Sequence, residues 1–410
     1  MTHGANASAV ATKLWIFAVE DQRAQITWRR LGPGRARFSI GPATWEVTCN
    51  GGPGALEVDG LEPGRRHELV VEIDGWGRPP LRRWFRTLDP PPGPELFRFA
   101  TISDLHLGAT RFGYFHTMRE RPEPPEPHSI RATRQALTEL RAWGAELVVI
   151  KGDITNDGRA EEWEFFANLV AASQLPYEVV PGNHDNRSPD RTRSAAQRLR
   201  WALTGGPIVQ WLTDRTEGRP LRAQDGLSLV GIEPSPVRHL DIPGLRIVLA
   251  DTTREGRHLG TLDSIRDEVC TRAAKAAGAG TPVFVAGHHY PMPLPIPHFW
   301  PPGVPPRQAQ RFFAALHDAN PAAFYTAGHT HRNRRYERCG VVVTEVGSPK
   351  DYPGVWAGYV VYEGGLRQVV RRVATTDILA WTDYTRLAAL GAWGLWSPGT
   401  RQQRCFDVRW

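Results

Sequence analysis

From residue 14 to residue 88 the chain alternates short β-branched or aromatic runs with Gly and Pro clusters: LWIFAVE, AQITWRRL, ARFSI, TWEVTC, ALEVDGL, HELVVEIDG and RRWFRTL. Regularly spaced runs with turn chemistry between them predict an all-β sandwich. The stretch DPPPGP at 89–94 then interrupts any regular structure, because proline fixes φ and removes a backbone donor, and it reads as a linker. Beyond it, apolar strands alternate with amphipathic helical segments, as α/β domains require. The expected organisation is a small β-sandwich domain over residues 1–92, an α/β (α+β) domain over 96–374, and a C-terminal extension over 375–410. The extension carries Trp381, Trp393, Trp396 and Trp410 and is expected to pack back onto the body.

Within the larger domain the rhythm is strand, loop, helix. A strand over 96–103 ends at Asp104-Leu105-His106. A helix is predicted from about Ser129, with Ile130, Thr133, Leu137 and Leu140 on one face. The buried strand at 147–150 runs into Lys151-Gly152-Asp153, and a second helix after Asp157 places Trp163, Phe166, Ala167 and Val170 together. The strand at 177–180 is stopped by Pro181-Gly182, so that Asn183, His184 and Asp185 emerge in a loop. Residues 187–245 alternate basic with Gly/Pro-rich pieces and resist a clear reading. Further strands at 245–250, 281–286 and 323–327 end at Asp251, at Gly287-His288-His289 and at Gly328-His329-Thr330-His331; 341–346 and 357–362 close the series. Each polar cluster falls at the carboxyl end of a strand, where α/β sheets place their ligands.

Composition narrows the classes. At 410 residues with 41% hydrophobic and 23% charged residues, the chain is an ordinary globular protein. Its net charge of +7 favours anionic partners of phosphate size and is too small and dispersed to mark a nucleic-acid groove. Cys49, Cys270, Cys339 and Cys405 lie too far apart for a zinc knuckle or a disulfide framework and read as reduced thiols. No stretch reaches the ~18 uninterrupted apolar residues of a spanning helix. With no basic start followed by a long apolar run either, a cytoplasmic protein without a membrane partner is expected.

Collected in order, the polar strand ends are Asp104 and His106, Asp153, Asn183 and His184, His288, and His329 and His331. A metal-pair phosphoesterase needs oxygen and imidazole ligands converging from several strand ends, with one carboxylate able to bridge ions roughly 3.5–4 Å apart. Alternation along an extended segment would put both members of Asp-x-His and His-x-His on one side. By the same rule the adjacent Asn183 and His184 would point oppositely, one to the ions and one to the substrate.

These five blocks, D-x-H, G-D, G-N-H-D, G-H and G-H-T-H, resemble in kind and order those of the calcineurin-like metallophosphoesterase family. The resemblance implies a four-layer sandwich of two mixed β-sheets flanked by helices. It also implies two divalent metal ions (Mn, Fe, Zn or a mixed pair), with Asp104, His106 and His331 on one, Asn183, His288 and His329 on the other, and Asp153 between them. His289 is an alternative to His288, which is preferred because it follows the strand-ending glycine. His184 matches the family's non-ligand histidine, which contacts the phosphate and protonates the leaving oxygen.

The first domain resembles the fibronectin type III or purple-acid-phosphatase N-terminal sandwich, through Trp28 and through Leu61-Glu62-Pro63-Gly64 leading into His67, where the family commonly has Tyr. His67 and the tryptophans read as packing residues. Purple enzymes carry a tyrosine three residues after the G-D aspartate, whereas Asn156 stands here, which argues against an iron-tyrosinate site. The implied activity is hydrolysis of a small phosphodiester, a cyclic nucleotide or glycerophosphodiester, by a hydroxide held between the ions. Rival readings are a phosphomonoesterase or nuclease using the same site, or a binding protein with a dead second domain. Arg332, Arg334 and Arg335 are assigned to a solvated rim in preference to a phosphate contact, and Tyr114, His116 and residues 119–127 to the pocket wall. Oligomeric state is not legible.

Overall fold

The computed structural model of the protein describes residues 14–113, 117–186, 220–293 and 301–410. The chain forms two compact units, one within residues 1–90 and 374–380, the other within 91–373 and 381–410.

In the first unit, β1 (Leu14–Val19), β2 (Ala24–Trp28) and β5 (Gly54–Val58) form one antiparallel sheet, ordered β1-β2-β5. The other comprises β3 (Pro33–Ile40), β4 (Ala43–Asn50), β6 (Arg66–Ile73) and β7 (Leu81–Arg86), ordered β4-β3-β6-β7. The inward residues of both sheets share one core: Ile26 and Trp28 meet Phe38 and Val71, with the Trp28 and Phe38 rings 5.2 Å apart. The His67 ring packs on Phe85 at 5.4 Å and donates to the Glu62 carbonyl at 3.1 Å, so it locks a strand to the turn that precedes it.

The second unit holds two six-stranded mixed sheets. The first runs β12-β11-β8-β19-β20-β21, from β8 (Glu95–Ile102), β11 (Leu147–Lys151), β12 (Tyr177–Val180), β19 (Val355–Tyr362), β20 (Gly365–Arg372) and β21 (Cys405–Arg409). The second runs β13-β14-β15-β16-β18-β17, from β13 (Val237–Ile242), β14 (Leu245–Ala250), β15 (Val283–Gly287), β16 (Ala323–Ala327), β17 (Arg334–Arg338) and β18 (Val341–Glu345). A short pair, β9 (Arg111–Phe112) with β10 (Met118–Arg119), stands apart.

The two large sheets meet through aromatic rings. Phe99 of β8 stacks on Tyr359 of β19 and meets Phe284 of β15 edge-on, each pair at 5.0 Å, and Phe284 stacks on Phe324 of β16 at 5.1 Å. Helices cover the outer faces. On one side α1 (His128–Trp143) sets Trp143 5.8 Å from Trp356 of β19, and α2 (Ala160–Ser173) buries Trp163, Phe166 and Val170. There α3 (Ala223–Leu229) lies against α2, with Gly226 closely packed on Trp163; beyond the other sheet, α4 (Arg266–Gly278) and α5 (Pro306–Ala319) pack Val269, Ala273, Phe312 and Leu316 against Val285 and Tyr325. Such sheets are covered on both faces, which is why β19 is apolar and buried along its whole length. The result is the expected four-layer order of helix, sheet, sheet, helix. The parallel strands β8, β11, β14, β15 and β16 deliver their carboxyl ends to the expected polar clusters.

Candidate metal centre

The clusters converge by a route other than alternation. Asp104, His106, Asp153, His329 and His331 all adopt left-handed backbone, with φ of 58°, 44°, 49°, 67° and 52°. For residues other than glycine this conformation costs energy and is tolerated where the surroundings over-determine it. The extended-strand argument is therefore wrong for Asp-x-His and His-x-His: the side chains share a side because the chain coils after the strand ends. Asn183 and His184 lie in a turn, and both line the same cleft.

Close approach demands the glycines that precede the ligands. A Cβ on Gly182 would fall on the amide nitrogen and carboxylate of Asp153, and one on Gly152, at φ +80°, would come within 2.6 Å of the Gly182 nitrogen. Asp185 ties these loops from behind. Fully buried, it accepts from Thr155 N–H and hydroxyl and from Gly182 N–H, each at 2.8 Å. Burial, with Asp153 nearby, raises its pKa to about 6.

At the centre, Asp153 Oδ2 lies 3.6 Å from His106 Nε2 and 3.4 Å from His288 Nε2, so one carboxylate faces two groups. On one side His331 Nε2 stands 3.3 Å from His106 Nε2 and 3.5 Å from Asp104 Oδ1. On the other, His288 Nε2 stands 3.3 Å from Asn183 Oδ1 and 3.1 Å from His329 Nδ1. The ligand atoms of Asp104, His106 and His331 all lie within 4.8 Å of one another, as do those of Asp104, Asp153 and His288.

Hydrogen bonds behind the rings decide which atoms face inward. His288 Nδ1–H donates to the Lys151 carbonyl at 2.7 Å, His329 Nε2–H to the Pro302 carbonyl at 3.1 Å, and His331 Nδ1–H to Asp351 at 2.6 Å. In the neutral rings the inward nitrogens are then lone pairs, gathered with carboxylate and amide oxygens and turned toward one another. Such a set is electrostatically unfavourable until a cation stands among it, and imidazole held from behind by carbonyl or carboxylate is the usual arrangement of metal-binding histidine. The residues fit a pair of divalent cations. Burial opposes charge on His288, yet Asp153 and Asp104 hold its pKa up at about 9; burial drives His106 and His329 well below the ordinary value.

The cleft in front of the centre has a volume of about 350 Å³. His184 lines it, its Nδ1–H donating to the Asn156 carbonyl at 2.7 Å and its ring edge-on to His106 at 4.4 Å. The position at which purple enzymes carry tyrosine thus serves here through its backbone. His258, unmarked by any motif, also lines the cleft, its Nδ1 3.1 Å from Asn183 Nδ2. His289 Nδ1 meets the Thr252 hydroxyl at 2.8 Å, and a ligand atom of its ring also lies within 4.8 Å of those of His288 and His329, so these three histidines form a further candidate group.

Other wall assignments change. Residues 119–127 do not line this cleft; Phe112, Gly113, Lys350, Ala388, Ala389 and Trp393 do. Tyr114 and His116 lie outside the described residues. The arginine rim is only partly solvated: Arg332 is 3% exposed beneath Trp393 and Trp396, whereas Arg334 and Arg335 are half-buried, the Arg335 guanidinium 3.9 Å from the centre of the Phe406 ring. The Arg332 and Arg335 side chains are held by aromatic faces, a long-range contact that local sequence does not signal.

The sequence pattern of the calcineurin-like phosphoesterases matches residues 97–333. The chain belongs to that family. Over 151 residues it is 28% identical to the glycerophosphodiester phosphodiesterase GpdQ of Enterobacter lignolyticus (strain SCF1), covering 36% of this chain and 43% of that protein. Over 187 residues it is 26% identical to the 3',5'-cyclic adenosine monophosphate phosphodiesterase CpdA of Pseudomonas aeruginosa, covering 46% and 54%. The matches thus span about half the length of these curated relatives. Among solved structures, the purple acid phosphatase PPD1 of yellow lupin aligns over 88% of this chain and 72% of its own, at 13% identity and a TM-score of 0.47. A dimetal phosphatase of Danio rerio aligns over 68% and 98%, at 15% identity and the same TM-score.

Proposed function

We propose that the protein hydrolyses a small phosphodiester at a two-metal centre. In this reading Asp104, His106 and His331 hold one ion, Asn183, His288 and His329 the other, and Asp153 serves both. The single observation that carries it is the Asp153 carboxylate, which faces His106 on one side and His288 on the other. Divalent ions bound there supply Lewis acidity toward phosphoryl oxygen and lower the pKa of water. The chain's own residues do the rest. His184, pinned through Nδ1 by the Asn156 carbonyl, presents Nε2 as the proton donor to the leaving oxygen. His258 and Lys350 line the same cleft and offer nitrogen atoms to an anionic substrate.

The cleft volume suits a small diester better than a nucleic-acid strand. GpdQ and CpdA, by name, act on a glycerophosphodiester and a cyclic nucleotide, so these two classes lead the list of substrates. None of the described helices is long and apolar enough to cross a membrane. The reading that the protein works in the cytoplasm is supported by its four free thiols. The test is a panel: enzyme stripped of metal and refilled with Mn, Fe or Zn, assayed on glycerophosphodiesters, cyclic nucleotides and phosphomonoesters, with metal content measured in parallel. Two ions per chain with diester turnover is expected. A full complement of metal with turnover of monoesters alone would overturn the diester assignment, and failure to bind metal would overturn the whole reading.

A further inference from the structure

Beyond the last metal motif, residues 384–397 fold into a small knot at the mouth of the cleft. Its backbone bonds to itself: Leu387 N–H to Tyr384, Gly391 N–H to Leu387, Trp393 N–H to Ala388 and Gly394 N–H to Arg386. One side of the knot faces the cleft through Ala388, Ala389 and Trp393, with Trp393 5.8 Å from Phe112. The knot also displays exposed apolar groups. Leu390 is 106% exposed, Leu395 78%, Trp396 56%, Leu387 47% and Tyr384 45%. Only Trp84 and Leu229 are other large hydrophobics so exposed among the described residues. Leu390 is held at φ +56°, a conformation a leucine adopts at a cost, so its display in water is doubly unfavourable.

Two further features point to what covers this surface. From residue 384 to residue 404 the sequence holds no Asp or Glu; Arg386 and Arg401 are half-exposed there, while Arg404 is buried on the Pro398 and Gly399 carbonyls. Leucines beside Trp and Tyr, with arginines and no acids, have the composition of elements that sit at an anionic lipid surface. Secondly, an apolar track along the chain adjoins the cleft wall: Ala388 and Ala389, which line the cleft, stand between the exposed Leu387 and Leu390. A cleft of about 350 Å³ takes a phosphorylated headgroup but leaves no room for two acyl chains, which such a track would keep in contact with apolar surface.

We propose that the knot docks the protein on an anionic bilayer and that the substrate is a lipid phosphodiester whose headgroup enters the cleft while its acyl chains stay outside. This rests on the reading of the cleft as a phosphodiester hydrolase. That none of the described helices spans a bilayer bears on crossing one, not on resting against one.

The test uses the full chain loaded with metal. Wild-type protein and the double variant Leu390→Glu/Leu395→Glu are sedimented with vesicles of phosphatidylglycerol and phosphatidylcholine, or of phosphatidylcholine alone. Both are then assayed on vesicle lipid and on a water-soluble diester. Both leucines lie outside the cleft, so the variant should fold, melt and turn over the soluble diester as wild type does. Binding to the anionic vesicles should fall on the order of 100-fold, about tenfold for each leucine removed from an apolar contact, and turnover of vesicle lipid should fall with it. Wild type that ignores anionic vesicles, or a variant that binds them equally, would overturn the docking. So would sedimentation showing that the leucines join two copies of the chain instead. Leucine-dependent vesicle binding with no turnover of any ester in either protein would uphold the docking and sink the hydrolase reading.

Discussion

Replacing Asp351 by Asn removes one negative charge from behind the metal centre and little else. Asp351 is fully buried, accepts from His331 Nδ1–H at 2.6 Å and lies 3.2 Å from Lys350 Nζ. Burial by itself disfavours the charged forms, but with His331 and Lys350 alongside the carboxyl is held below its ordinary range, and the His331 pKa is correspondingly raised. The isosteric amide can still accept the Nδ1 proton, so the ring keeps its place. What is lost is charge assistance, which makes such a bond about twice as strong as its neutral counterpart and renders Nε2 the better donor to a cation. Metal affinity at the Asp104, His106 and His331 position should fall roughly 10- to 100-fold, the usual effect of losing an outer-shell partner. The second position, whose histidines are held by the Lys151 and Pro302 carbonyls, should be unaffected. Leaving Lys350 without its carboxylate adds a loss of fold stability toward the lower end of about 3–5 kcal/mol, since the ammonium lines the cleft and lies 5.2 Å from the centre of the Phe112 ring. Chelator competition with metal analysis reads the two affinities separately. Equal weakening of both positions, or of neither, would refute the assignment of His331 to one ion alone.

Three other outcomes follow from the same geometry. His184→Asn should keep both metals while slowing turnover by on the order of 10²–10⁴, with a smaller loss for a nitrophenolate leaving group that hardly needs a proton; metal loss would make His184 a ligand. Gly182→Ala drives a methyl into the Asp153 amide and carboxylate, so it should cost on the order of 1–3 kcal/mol in thermal stability and weaken both ions together; a variant with normal metal content would contradict the packing. Burial raises the Glu162 pKa from 4.5 to about 7, opposed by its bond from the Arg159 N–H. The folded protein therefore holds this proton where the unfolded chain has released it, so the stabilisation is complete below pH 4.5 and is lost as pH rises through about 7. Urea unfolding at pH 5 and pH 8 should show Glu162→Gln losing on the order of 3 kcal/mol less than wild type between the two; parallel losses would place the titration elsewhere.

Much of this centre was legible because its residues follow apolar runs that end in glycine. The run from Leu147 to Lys151 is β11, and Gly152-Asp153 follows it directly; the runs at 245–250 and 323–327 coincide with β14 and β16. Period-2 alternation reads a strand well but carries no information about the coil after it, which is why the rule failed for Asp104 and His106, whose φ is left-handed. The cleft wall was hidden for a different reason. Ala388, Ala389 and Trp393 reach His331 across more than fifty residues, and neither their types nor their spacing marks a binding site; the Trp393 and His331 rings are 6.3 Å apart. His258 and Asp351 were missed likewise, as single polar residues in loops. Arg332 was misplaced because an arginine after a polar motif is ordinarily solvated, and only the fold lays Trp393 and Trp396 over it.

The five left-handed residues set a limit on transplantation. Anyone moving Asp104, His106, Asp153, His329 and His331 onto another scaffold by matching side-chain positions would find that ordinary strand ends do not supply the backbone these residues occupy. Replacing any of them by glycine should relieve strain, so a search for thermostable variants would tend to drift toward empty centres. Selection for stability must therefore be paired with selection for bound metal, and a design has to import the coils and the glycines behind them as one piece.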